Sequence, residues 1–261
     1  MPESSGYSDA LARAPRFGLT RREEALLRGL TPPWRIQKFL DGLDYDVKAS
    51  GCRSPRRVLA ERTVQCMDGA LFAAAALRVQ GHPPLILDLE AVYDDDHVLA
   101  IFRQAGLWGA IARSNYSGLR FREAIHPTIR SLVLSYFESY FNLRRQKTLR
   151  RYSRPINLSR FDRIAWMTSP VDLWEIPDYL AGVPHRRLLP ARIERRLSPV
   201  DLRLFEAGLV GKTVAAQSVA SRTPSSRVEV REGPPLAQLQ RRPRPKVASR
   251  KASGRQGGAR G

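Results

Sequence analysis

Apolar positions run unbroken through Ala70-Leu71-Phe72-Ala73-Ala74-Ala75-Ala76-Leu77, and Gly81 follows soon after. Alanine and leucine are the strongest helix formers and glycine is the usual stop, so this stretch predicts a helix headed by Cys66. Upstream, Thr20 with Glu23 three residues on has the spacing of a capping box and opens a helix through Leu30. Pro32-Pro33 breaks the chain, and Trp34 to Asp41 repeats apolar residues at helical spacing, which places Trp34 on the core-facing stripe. Leu43 to Lys48 reads as a short extended segment. Ser54-Pro55 then starts a helix through Glu61, with serine as cap and proline in the first position.

Downstream the period changes. Pro84 to Ala91 reads as a strand, and Asp94-Asp95-Asp96 as a polar turn. Val98 to Phe102, introduced by His97, and Trp108 to Arg113 are two apolar runs around Gln104-Ala105-Gly106-Leu107, which predicts a hairpin. Tyr116 to Glu123 alternates apolar and basic residues and suggests a further strand. Thr128 to Phe141 reads as one long helix whose Tyr136, Phe137, Tyr140 and Phe141 pack on the sheet. His82 and His126 each sit beside proline and read as turn residues. Helical character returns around Val171–Tyr179 and Pro199–Gly208.

Three residues in this frame carry candidate chemistry. A thiol in the first turn of a helix meets unpaired N–H groups and the positive end of the dipole, which lowers its pKa. Cys66 occupies that place. With the hairpin turn centred on Gly106, His97 and Asn115 lie opposite each other, their Cβ atoms about 4.5–5.5 Å apart. A slip of one residue puts Ser114 there instead. A thiolate nucleophile needs a base within hydrogen-bond reach and a third group to hold that base, so Cys66, His97 and Asn115 form a candidate triad. The three aspartates before His97 raise its pKa in this reading and favour an ion pair with the thiolate. The backbone N–H of Cys66, with Gln65 beside it, is the candidate donor to an oxyanion. Asp68 reads as a partner of the helix dipole.

These residues resemble the transglutaminase-like superfamily. There the nucleophile opens a helix, and a histidine and a third polar residue sit on adjacent strands. The order Cys66, His97, Asn115 matches, as does Trp108 shortly before the third position. The resemblance covers roughly residues 30–165 and is closest to small bacterial members. It implies an α+β fold of the papain/transglutaminase type, with N-terminal helices packed on a small antiparallel sheet and helical additions after it. It also implies acyl transfer through a thioester on Cys66, with a peptide or protein amide as substrate. The superfamily usually has aspartate third. Papain-like enzymes use asparagine.

Other chemistries find little support. A zinc site would have to recruit Cys52, Cys66, His82 and His97, whose spacings match no zinc motif. The aspartate run lacks the glycine and glutamate of a calcium loop, and no phosphate-cradling glycine loop or serine nucleophile elbow is present. No cofactor or metal is therefore expected.

Composition sets the remaining bounds. A chain of 261 residues with 43% hydrophobic residues can hold one sizeable domain and an appendage. The division expected is a leader over 1–18, the thiol domain over 19–165, a helical extension over 166–211 and a disordered basic tail over 212–261. That tail has 12 Lys+Arg against 2 Glu, so it holds +10 of the net +19. Such a tail offers weak, salt-dependent contact with nucleic acid, although no aromatic residues interleave the charges to stack on bases. Two cysteines make no disulfide framework, and neither a signal peptide nor a membrane span is visible. A cytoplasmic location follows as the expectation.

Overall fold

A computed structural model describes residues 16–48 and 51–213. The first fifteen residues of the leader and residues 214–261 of the tail lie outside the described residues. The described chain mixes helices with an antiparallel sheet, as expected.

The N-terminal helices form where their caps predict them. Helix α1 (Arg21–Gly29) is closed by the Thr20–Glu23 box: the Thr20 N–H donates to Glu23 Oε2 at 2.7 Å and the Glu23 N–H to Thr20 Oγ1 at 3.2 Å. Helix α2 (Pro33–Asp41) buries Ile36, Gln37 and Leu40. Trp34 belongs to the other side: it is 46% exposed, with the Arg35 guanidinium over its ring, so the expectation of a core tryptophan fails. Strand β1 (Asp44–Tyr45) pairs in parallel with β2 (Thr63–Val64), and between them lies α3 (Pro55–Glu61), capped by Ser54. Helix α4 (Cys66–Val79) then runs through the core with Ala73 to Ala76 wholly buried. Alanines on every side let neighbours close in all round. Gly69 takes this furthest, since a Cβ there would stand 2.5 Å from the Cβ of Arg113.

Strands β3 (Leu85–Ala91), β4 (His97–Gln104), β5 (Leu107–Ile111) and β6 (Arg122–His126) form one half of the main sheet. Beyond β3 lie β7 (Leu149–Ser153), which pairs with it, and β9 (His185–Arg187) at the edge, while β8 (Ile156–Asn157) pairs with the start of β3. All these pairings are antiparallel. Ile86, Val98, Ala100 and Phe102 share the core of α4, and Leu87, Leu89, Leu99 and Ile101 face a second core on the other side.

That second core holds α5 (Ile129–Leu134), shorter than the helix expected to reach Phe141. The chain leaves it for a 3₁₀ turn at Phe137–Ser139, where two tyrosine hydroxyls seek buried carbonyls: Tyr136 donates to Arg120 O and Tyr140 to Asp95 O, each at 2.7 Å. Those bonds satisfy groups that a continuous helix would carry elsewhere. His126 is not in a turn; it ends β6 opposite Trp108. The strand expected from Tyr116 starts only at Arg122.

The helical extension is not a separate layer. Trp166, Leu173, Ile176, Leu180 and Val183, from the turn before and through α6 (Glu175–Gly182), join the core of α4. After the short α7 (Ala191–Glu194), α8 (Leu202–Leu209) lays Phe205 on Phe141 at 5.4 Å between ring centres. Trp166 and the apolar residues of α6 thus share one core with α4. Among the described residues no helix is long and apolar enough to cross a membrane.

Candidate active site

The head of α4 is locked by a buried carboxylate. Asp68 accepts from the N–H of Gln65 at 3.2 Å, the N–H of Arg53 at 2.7 Å and the Arg53 guanidinium at 3.0 Å. Burial pushes the Asp68 carboxyl up to about 6 against these donors. Its role is structural: it ties the 51–54 segment to the helix that presents Cys66.

Cys66 is the first residue of α4 and is half-buried. Its thiol donates to Gln65 Oε1 at 3.2 Å. The N–H groups of Val98 and Met67 lie against the sulfur and favour thiolate, but burial outweighs them and pushes the thiol up to about 11. The lowered pKa expected from the helix head is thus reversed. The dipole acts over one turn, whereas desolvation comes from every segment packed around the helix head.

His97 opens β4 and is 4% exposed. Its Nε2 is 2.9 Å from the carbonyl oxygen of Leu119. A carbonyl only accepts, so Nε2 carries the proton and Nδ1 is left with its lone pair. Among the described residues Nδ1 has no hydrogen-bond partner. The Tyr140 ring meets the imidazole edge-on at 6.4 Å. Burial lowers the His97 pKa to about 4, against the Leu119 carbonyl, and Arg122 adds to the lowering. The expected rise from the aspartates does not occur. Cys66 and His97 therefore rest as neutral thiol and neutral imidazole at pH 7, and no hydrogen bond joins them.

Asn115 does not hold the histidine. The β4–β5 turn is the two-residue loop Ala105-Gly106, both with positive φ (48° and 82°), so pairing begins at Gln104↔Leu107 and ends at Ala100↔Ile111. Carried on, that register brings Ser114 level with His97, one residue short of Asn115. The Asn115 carboxamide instead clasps the chain beyond α8: Nδ2 donates to Thr213 O and Oδ1 accepts from the Thr213 N–H, each at 2.8 Å. The group orienting His97 is the backbone carbonyl of Leu119, which no side-chain pattern can reveal because every residue has one.

All three residues nonetheless border one open cavity of about 590 Å³. Tyr45 and Tyr140 contribute to its wall, Asp94 to Asp96 stand beside His97, and Lys212 and Thr213 close one side. A second histidine lay outside the sequence reading altogether. His185 on β9 contacts Asp88 Oδ2 at 2.9 Å and Val183 O at 2.8 Å, a buried pair that fastens the edge strand. Among the described residues no three His, Cys, Asp or Glu side chains are grouped to hold a metal ion.

No protein-family model and no curated protein sequence matches the chain.

Proposed function

We propose that Cys66 and His97 perform acyl transfer on an amide substrate, in a fold of the papain/transglutaminase type. The observation that carries the reading is their juxtaposition. The thiol heads the central helix, the imidazole opens the adjoining strand, and both border the same cavity, with the N–H of Val98, next after His97, against the sulfur.

The chemistry proceeds from a neutral pair. As the thiol turns from Gln65, Nδ1 of His97 takes its proton and the sulfur attacks the carbonyl carbon of the amide. Leu119 O holds the ring through Nε2–H and stabilises the imidazolium that forms. The Cys66 N–H, one of the free donors at a helix head, faces the developing oxyanion. His97 then returns the proton to the leaving amine, which departs from a thioester on Cys66. Water or a second amine resolves that thioester, giving hydrolysis or transfer.

The test is intact-mass detection of an acyl adduct on Cys66 from a panel of glutamine-containing peptides and peptide amides. His97→Ala should slow adduct formation about 10²–10⁴-fold, the usual contribution of a positioned general base. Absence of any adduct, together with the same iodoacetamide rate in wild type and His97→Ala, would overturn the proposal. It would favour a second reading, a catalytically silent interaction module, for which the thiol's bond to Gln65 and the missing Cys66–His97 bond are the supporting observations.

A further inference from the structure

The cavity around Cys66 is acidic in a chain whose net charge is +19. The β3–β4 turn delivers Asp94, Asp95 and Asp96 to its wall, and Asp46 adds a fourth carboxylate from the segment after β1. Two of the four are committed to the fold. Asp94 accepts from Thr148 Oγ1 at 2.7 Å and from the Asp95 N–H at 3.0 Å, and Asp46 accepts from the Arg53 guanidinium at 2.9 Å. Asp96 uses only Oδ1, which accepts from the Ala91 N–H at 2.7 Å. Among the described residues the Asp95 carboxylate has no hydrogen-bond or ion-pair partner, and it is exposed. Among the described residues the one ammonium on the wall, that of Lys212, donates to the Tyr116 hydroxyl at 3.1 Å and lies over that ring at 4.5 Å.

A second observation, on the histidine already proposed as base, points to a ligand in the same cavity. His97 is almost wholly buried, yet its Nδ1 is left without a partner and is not sealed off among the buried unpartnered atoms. A buried polar atom left open to a cavity is one that a ligand can satisfy.

We propose that the substrate is a basic peptide, whose arginine or lysine beside the reacting amide is received by Asp95 and Asp96. This rests on the acyl-transfer reading of the same cavity. Carboxylates with unclaimed oxygens suit a guanidinium fork or an ammonium, and several carboxylates along one cleft draw in a cation more strongly than one alone. A neutral or acidic neighbour at that position would leave both carboxylates without a countercharge.

Two measurements on the full chain test this and separate it from the reading beneath it. The first compares Cys66 modification by two methanethiosulfonates, one with a trimethylammonium group and one with a sulfonate. Their rate ratio should exceed that for free cysteine by about tenfold or more, shrink with added salt, and collapse in Asp95→Asn/Asp96→Asn. A ratio equal to that of free cysteine overturns the proposal. The second compares adduct formation from matched peptides bearing arginine or citrulline beside the amide. Equal kcat/KM for the two also overturns it. A strong cation preference without any acyl adduct would sink the acyl-transfer reading and leave a cation-selecting cleft.

Discussion

At the residue level the decisive fact is the protonation state of two groups. A thiol at about 11 holds roughly 10² to 10³ times less thiolate at pH 8 than an ordinary cysteine near 8.5. The sign is plain: thiolate appears only as pH rises, so iodoacetamide modification of Cys66 should be slower than that of a model thiol at pH 7. It should still climb about tenfold per pH unit between 8 and 10, where the model thiol levels off. A plateau below pH 8 would show a lowered pKa and restore the ion pair. Asn115 makes the opposite case. If it only clasps Thr213, Asn115→Ala should keep acyl-adduct formation within about tenfold of wild type while hastening tryptic cleavage after Lys212. A loss of 10² or more, the scale expected for a group that orients the base, would return it to the triad.

At the level of elements, what the sequence pattern foretold correctly was local. The Thr20 box, the Ser54 cap and the alanine helix each depend on residues within one or two turns, and they form as read. The hairpin register did not, because Ala105 takes a left-handed conformation that its identity does not advertise, and a two-residue turn displaces every pair by one. Two tests belong here. Glu23→Gln should lower the melting temperature near pH 7. The Arg56 guanidinium holds the Glu23 carboxyl down at about 2, so the stability it adds is present above about 4.5 and is lost as pH falls toward 2. The difference between variant and wild type should therefore vanish across that window. Gly69→Ala should destabilise by about 1–3 kcal/mol in urea unfolding, because its Cβ would meet Arg113. A neutral result would mean that the head of α4 is free to shift against the end of β5.

At the scale of the whole molecule, a sheet covered on both faces presents the head of one helix at the end where β4 begins, and the segment after α8 returns to close the cavity. The sequence by itself determined that a cysteine heads the central helix, that a histidine opens the next strand but one, and that three aspartates precede it. Those features follow from short-range propensity and chain order. Only the tertiary structure decided what they do. Burial sums the bulk of distant segments, so it turned an activated thiolate and a charged imidazole into a neutral pair. A backbone carbonyl from a turn 22 residues downstream took the orienting role given to Asn115. Long-range packing then set Asp95 and Asp96 facing the sulfur's own cavity, because the two sides of that cavity come from elements that meet only once the sheet has closed over α4.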